Sequence, residues 1–537
     1  MNAHTRVQRL RQIEKLFATA GTLLIVLMTV PAQGIELSAQ EQRGKRIYVD
    51  GESASGAPMT ALIAKGTTPI PTSIVTCAGC HGEDGRGRPE GGVVPSDITW
   101  RTLTNSYGHD HSYGRSHPAF DDASLARAIT TGVDSAGNRL DPAMPRYSIP
   151  ESDLADLVAY IKRIETDLDT GLTDTEIRIG TLLPLKGPLE SLGQAMKTVL
   201  EAYFADINSR GGINGRKINL VVGEYIADQT YGSWNARDLL QQQSVFALVS
   251  GYVAGIEKEV AALVEETEVP MVGPFTMLPQ EDAGLNRFSF YLLSGIKHQG
   301  QLLATYACSE QDLKGSRAAI IHPAGAPYEE LSAAVQTQAE ASGLEQISTV
   351  AYQHADFDAG ETVRTLHEAA VQTLFFFGTG EELKLLTTEA QRVDWAPFLF
   401  VPGALASKTI FDLPGSFAGR VFLAYPSMPS DHTPKGKNEF EQFHAAHEMD
   451  YRHSAAQISA YTAAMILVEG LKRAGRDLSR DRLMQELEGL SEFQSGLMPA
   501  ISYNHTRRIG ALGGYVVALD LGSRKLETTS RWIALDE

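Results

Sequence analysis

Cys77-Ala78-Gly79-Cys80-His81 sets two thiols one tight turn apart and puts an imidazole at the next position. At that spacing two sulfurs can bond the two vinyl groups of one porphyrin, and the neighbouring His81 sits beneath the iron as its proximal ligand. A Cys-x-x-Cys also serves thioredoxin-like redox pairs and half of a zinc site. Neither rival explains the histidine, no second Cys-x-x-Cys completes a zinc ribbon, and no βαβ pattern surrounds this one. The expected chemistry is electron transfer through one covalently attached haem c.

A low-spin haem of this kind needs a second axial ligand and helices to close over it. Met144, in Asp141-Pro142-Ala143-Met144-Pro145-Arg146-Tyr147, lies in a loop that its prolines hold extended. Met59 is the rival, since a lone methionine is usually core filler. Methionine ligation leaves the iron no open position, which favours electron transfer over oxygen chemistry. The helix expected over Glu151 to Ile164 carries Leu154, Leu157, Val158 and Ile161 on one face. That face must pack on something; the segment Ala39 to Val49 holds Gly44 and Tyr48 four apart, and the later helix holds Leu157 and Tyr160 three apart.

These residues resemble the class I cytochromes c. In that family a glycine and an aromatic on the first helix cross a leucine and a tyrosine on the last, and the axial methionine sits in a Pro-flanked loop. The resemblance implies a small all-α cytochrome c domain over 38–166, with Cys77 and Cys80 as haem thioethers and His81 and Met144 as axial ligands. One departure is the stretch Asp50 to Thr76, rich in Gly, Ser, Thr and Pro, between the first helix and the haem motif. It reads equally as a surface insertion or as a shield for a haem edge. His109, His111 and His117 share a Gly/Tyr/Ser-rich loop; with no thiol or carboxylate at ligand spacing they read as solvated or as contacts to a haem propionate.

Thioether attachment takes place outside the cytoplasm, and an export signal precedes the motif. Arg6, Arg9, Arg11 and Lys15 form a basic head, Phe17 to Val30 an apolar run, and Ala32-Gln33-Gly34 a small-x-small cleavage site. Residues 1–34 are therefore expected to be a signal peptide, with retention as an anchor as the alternative, and the rest a soluble periplasmic protein. With 537 residues, two or three domains are expected, and the net charge of -18 excludes nucleic acid as a partner. That charge suits a carrier docking to a basic patch. Of the 3 cysteines, Cys308 is left over in an apolar helical segment and reads as a buried, inert thiol.

After a polar linker over 167–175 the pattern changes to strands alternating with helices. Ile177 to Pro184, Ile218 to Val222, Phe246 to Ser250, Pro270 to Gly273, Ala318 to His322, Thr373 to Phe377 and Pro397 to Val401 are the expected strands. Such alternation predicts doubly wound α/β sheets, long enough here for two lobes.

Ile179-Gly180-Thr-Leu-Leu-Pro184-Leu-Lys-Gly187-Pro188, Leu192-Gly193-Gln194 and Ile207-Asn208-x-x-Gly211-Gly212-Ile-Asn-Gly215-Arg216-Lys217 resemble the opening of type I periplasmic binding proteins of the branched-chain amino acid class. Val269 to Pro274, Asp356-Phe357 and the helix Tyr461 to Gly475 continue the likeness. It implies a two-lobed, Rossmann-like domain over 176–537 that hinges shut on a small polar ligand, usually for an ABC importer. The pocket departs from the family. Ser250-Gly251-Tyr252-Val253-Ala254-Gly255 lacks the expected hydroxyl, and Pro327-Tyr328 stands where the family has Tyr-Gly, which puts an ordinary α-amino acid ligand in doubt. The candidate cleft contacts are Tyr252, Thr276, Tyr328 and Thr379.

The first functional expectation is a periplasmic electron carrier with a fused small-molecule-binding domain. It would serve an oxidation system of the quinoprotein dehydrogenase type, with a dehydrogenase or another cytochrome as redox partner. The alternative is a solute receptor of an ABC permease with the haem as accessory. No nucleophile–base pair, His-Glu-x-x-His site or phosphate-cradling glycine loop is present, so the chain reads as a non-enzyme.

Overall fold

The computed structural model describes residues 37–63, 68–87, 92–111, 114–226, 229–281, 286–309 and 313–535. The export segment expected over 1–34 lies outside them. Two compact units emerge, one formed by the chain up to Gly79 with Glu90–Asp167, the other by Cys80–Pro89 with Leu168–Glu537. Among the described residues no helix is long and apolar enough to cross a membrane.

In the first unit, helix Ala39–Asp50 starts at Ser38, whose hydroxyl caps Glu41 while the Glu41 carboxylate takes the Ser38 amide, and it stops at left-handed Gly51. It crosses helix Glu151–Ile161 at Gly44, where a Cβ would stand 2.0 Å from the Asp156 carbonyl oxygen and 2.7 Å from the Tyr160 Cβ. The close approach brings the Tyr48 and Tyr160 rings to 5.5 Å and an Arg43–Asp156 ion pair to 2.6 Å. The crossing that the cytochrome c resemblance implies is therefore present.

The expected all-α character holds for the framework only. Thr60–Leu62 pairs antiparallel with both Ile70–Pro71 and Arg146–Ser148, and His109–Asp110 pairs with Ser116–His117. The stretch between the first helix and the haem motif thus builds a three-stranded sheet onto the chain just past Met144, where a run poor in helix formers gains its backbone hydrogen bonds.

The second unit contains two sheets. One runs Ile509–Ala511, Ser289–Leu293, Met271–Val272, Ala247–Val249, Glu176–Leu183, Lys217–Glu224, all neighbours parallel. The other runs Glu345–Tyr352, Arg317–Pro323, Thr373–Phe376, Phe398–Pro402, Val421–Tyr425, Gly513–Asp520, Lys525–Thr528, the first five parallel and the last two antiparallel. The central strands read as apolar runs because helices cover both faces. All seven strands expected from the sequence are present. Ser289–Leu293, Glu345–Tyr352, Val421–Tyr425, Ile509–Ala511, Gly513–Asp520, Lys525–Thr528 and Ile533–Ala534 are not among them; Glu345–Tyr352 is a largely exposed edge strand whose mixed polar and apolar residues make no continuous apolar run.

Chain segments joining the sheets are tied together. The buried Ser294 hydroxyl, just past Leu293, accepts from the Gly513 amide at 2.8 Å and donates to the Ala511 carbonyl at 3.1 Å. Asp431 accepts from the Met428 amide at 2.7 Å, the Ser427 hydroxyl at 3.1 Å and the Tyr515 hydroxyl. Much of the stretch read as a linker is docked on this unit. Asp169 accepts the Arg480 amide, the Arg480 guanidinium donates to the Val245 and Phe246 carbonyls, and a Cβ on Gly171 would lie 2.2 Å from the Phe246 amide.

Candidate functional site

Cys77 and Cys80 lie on one helical turn, Cys77–His81, whose start is capped by Thr76: its hydroxyl accepts the Gly79 amide at 3.1 Å. Cys77 is half-buried and Cys80 exposed, with His81 following on the same turn. This donor set, two sulfurs and one imidazole on a single turn, fits a covalently held haem. A crevice lined by Ile47, Val75, Cys77, Tyr147 and Ile149 lies beside the first thiol.

The Met144 loop is held from within. Its amide donates to the Asp141 carbonyl at 3.1 Å, and the Asp141 carboxylate accepts the Ala143 amide at 2.8 Å. The half-buried Arg146 guanidinium donates to the Met144 carbonyl and to the Leu140 carbonyl at 3.0 Å. Burial in this position lowers the Arg146 pKa. Gly132, with φ of 68°, makes room for Arg146, since a Cβ there would fall 1.8 Å from its Nε. Met144 is half-buried, whereas Met59, at 6% exposure, packs into the apolar core. Arg146 and Tyr147 gave no sequence signal beyond their place after Met144-Pro145.

The four cleft candidates fall into two pairs, each gathered round a carboxylate at the carboxyl ends of one sheet's strands. In the first, the Thr276 hydroxyl donates to Glu257 Oε1 at 2.8 Å and the Gly255 amide donates to Glu257 Oε2 at 2.8 Å. Tyr252 follows strand Ala247–Val249, bridges to Phe275, and packs edge-on against Tyr225 at 4.8 Å. Burial raises the Glu257 pKa, and burial together with the Glu257 charge raises that of Tyr252. Ser250, just before, holds φ of 49° with its hydroxyl buried and unpartnered among the described residues.

In the second pair, Thr379 caps helix Gly380–Arg392, its amide and hydroxyl donating to Glu382 Oε2 at 2.7 and 2.9 Å. Tyr352 donates to the same carboxylate at 2.9 Å, and His354 Nδ1 lies 2.7 Å from Glu382 Oε1. Burial opposes ionisation of Glu382, yet the hydrogen bonds from His354, Thr379 and Tyr352 hold its pKa below the ordinary value. Tyr328 opens helix Tyr328–Ser342, its pKa raised by burial and by Glu382. Glu382, in the first turn of helix Gly380–Arg392, carries this network. Glu257, Tyr352 and His354 went unread; an acidic residue in the first turn of the helix after a Gly-rich strand end is the signal that marks Glu257.

The two pairs come from opposite lobes, and their helices are linked. Lys258 Nζ, beside Glu257, lies 3.2 Å from Glu330 Oε1 on helix Tyr328–Ser342. Both side chains are exposed, so the pair marks where the lobes meet more than it stabilises them.

The model of the family described as periplasmic binding protein matches residues 176–521, and that described as cytochrome c matches residues 63–165. Similar curated proteins include a Leu/Ile/Val-binding protein homolog 3 of Brucella melitensis biotype 1, 23% identical over 56% of this chain and 80% of its own length. A leucine-, isoleucine-, valine-, threonine- and alanine-binding protein of Pseudomonas aeruginosa is 22% identical over 56% of this chain and 79% of its own. Among solved structures, a leucine-binding protein of Thermotoga maritima MSB8 superposes with a TM-score of 0.52 at 16% identity, covering 67% of this chain and 99% of that one. A branched-chain amino acid ABC transporter protein of Thermus thermophilus with bound valine superposes at 0.53 and 16% identity, covering 68% and 98%.

Proposed function

Since the chain belongs to the periplasmic binding protein family and carries a cytochrome c domain, we propose that it is a haem-bearing solute receptor of the periplasm. It would be delivered there by residues 1–34, with 38–166 as the electron-transfer domain and 176–537 as the binding domain. One haem c is held by Cys77 and Cys80, with His81 and Met144 on the iron. The burial of Met59 in the apolar core supports Met144 as the ligand. Bound there, the haem supplies a one-electron couple; the chain orients it and exchanges its electron with a periplasmic redox partner.

The observation that carries the binding reading is the Lys258–Glu330 contact, which supports a meeting of the lobe that bears Tyr252 and Thr276 with the lobe that bears Tyr328 and Thr379. The two carboxylates on these lobes are tuned apart: the Glu382 pKa is held below the ordinary glutamate value, while burial raises that of Glu257 above it. The Glu382 carboxylate suits an ammonium group, and the Tyr252 and Tyr328 hydroxyls can donate to a hydrogen-bond acceptor. A small ligand carrying both, of the amino acid class or close to it, fits this pair. The relatives named above are amino acid binding proteins, and their names lend no support to service in a quinoprotein dehydrogenase system. A permease partner of the ABC type follows from the same kinship.

The test is a thermal-shift panel on the full haem-loaded chain with amino acids, short carboxylates, alcohols, aldehydes and quinone cofactors, since a ligand stabilises the state it binds. A shift from an amino acid supports the receptor. Silence from the amino acids with a shift from an alcohol or a quinone cofactor returns the protein to an oxidation chain. If haem and cleft are coupled, the saturating ligand also moves the haem midpoint potential, because linkage is reciprocal.

A further inference from the structure

We propose that Glu257 is a specificity-determining residue of the cleft: it closes the first lobe to a ligand carboxylate and selects an amine whose second polar group is uncharged, an amide or a hydroxyl. The inference rests on the receptor reading above and narrows its ligand class.

Glu257 opens helix Glu257–Thr267, which follows strand Ala247–Val249 and so starts at the carboxyl end of the parallel sheet. A helix start there offers backbone N–H groups and a partial positive charge, which together suit an anion. The protein's own carboxylate fills that place. The exposed Gly255, with φ of 86°, gives its amide to Glu257 Oε2 at 2.8 Å, and the half-buried Thr276 gives its hydroxyl to Oε1 at 2.8 Å. The Thr276 oxygen itself accepts the Leu278 amide at 2.9 Å. A hydroxyl has one hydrogen to give, and this one is spent on Glu257.

The second lobe repeats the arrangement. At the start of helix Gly380–Arg392 the Thr379 amide, the Thr379 hydroxyl and the Tyr352 hydroxyl donate to Glu382 Oε2 at 2.7, 2.9 and 2.9 Å. In both lobes the donors beside a helix start are engaged by a side chain two or three residues on, before any ligand arrives.

The chemistry of the ligand follows from what is left over. Each Glu257 oxygen takes one of these two donors and keeps a second lone pair, which a ligand N–H can use. A ligand carboxylate brings acceptors to oxygens that are acceptors already and finds the Gly255 and Thr276 donors engaged. Left unpaired there, it loses on the order of 10–100-fold in the dissociation constant. An amide carbonyl or a hydroxyl sheds less hydration, and the Tyr252 hydroxyl can donate to it. The Tyr252 ring, 4.8 Å from Tyr225 and stacked at 6.0 Å on Phe275, supplies an apolar wall beside the polar groups.

Isothermal calorimetry at pH 7 on the full haem-loaded chain tests this with matched pairs: alanine, valine, leucine and phenylalanine, each against its own amide. The expected result is an amide that binds on the order of 10–100-fold more tightly than its acid. Glu257→Ala frees the Gly255 amide and the Thr276 hydroxyl, so the acid gains about tenfold or more in affinity and the gap narrows. Circular dichroism and the haem absorbance confirm folding; where Glu257→Ala fails, Glu257→Gln, which keeps the side-chain volume, takes its place with the same direction of change. An acid that binds the native chain as tightly as its amide, or an acid affinity unchanged in the variant, overturns the proposal and leaves the receptor reading standing. Silence from every pair in both native and variant chains overturns the two together.

Discussion

The Tyr147 hydroxyl donates to the carbonyl of Val75 at 3.1 Å. Val75 stands two residues before the first haem-motif thiol and Tyr147 three residues after Met144, so one hydrogen bond ties the approach to the haem motif to the exit from the methionine loop. Tyr147→Phe removes it, at a cost of about 1 kcal/mol. The expected result is a lower guanidinium midpoint when unfolding is followed through haem absorbance, with ligand binding in the second unit unchanged. An unchanged midpoint would show that the bond carries no stability.

Met144→Ala opens a coordination position if this methionine is the axial ligand. The haem spectrum and midpoint potential then change while ligand binding stays as it was. A spectrum identical to the native one removes Met144 from the iron.

Gly44→Ala tests the helix crossing. The added Cβ meets the Asp156 carbonyl and the Tyr160 Cβ well inside contact distance, and neither belongs to a flexible side-chain tip. Overpacking of this kind costs about 1–3 kcal/mol, read as a lower melting temperature of the cytochrome transition. A native melting temperature would place the crossing elsewhere.

Glu382 has a folded-state pKa below its ordinary value, so its contribution to stability is present above the unfolded carboxylate pKa and is lost as pH falls through the folded one. Glu382→Gln is expected to cost about 1.5–3 kcal/mol at pH 7, the range for hydrogen bonds to a charged group, in urea unfolding of the full chain. The difference from the native protein narrows as the pH drops below about 4, near the ordinary glutamate value. A difference that stays constant across that window would mean that the carboxylate charge plays no part in the Tyr352, His354 and Thr379 network.

Lys258 and Glu330 meet across the lobes at an exposed position. Lys258→Glu sets two like charges there and is expected to weaken closure, read as a larger radius of gyration at a given ligand concentration. Lys258→Glu with Glu330→Lys restores the native behaviour. The effect is within about 1 kcal/mol and fades with added salt. Equal radii in all three proteins would show that the lobes close without this contact.

Much of this was legible in the chain itself, because it depends on local chemistry. Cys77, Cys80 and His81 are read from spacing within a single turn. Gly44, Tyr48, Leu157 and Tyr160 carry, by type and spacing, the likeness to the cytochromes c that implies their crossing, and seven strands are read from short apolar runs alternating with helical patterns. The tertiary structure decided what long-range meetings decide. It paired residues 60–62 with 70–71 and with the chain just past the methionine loop, wrapped Arg146 round that loop, and gathered Tyr252 with Thr276 about Glu257 and Tyr328 and Thr379 about Glu382. It also brought the rings of His109, His111 and His117, which read as solvated or as haem-propionate contacts, against one another. Side-chain period and residue spacing carry the first kind of information. The second depends on which strand ends and loops the folded backbone brings to one place, and no local pattern encodes that.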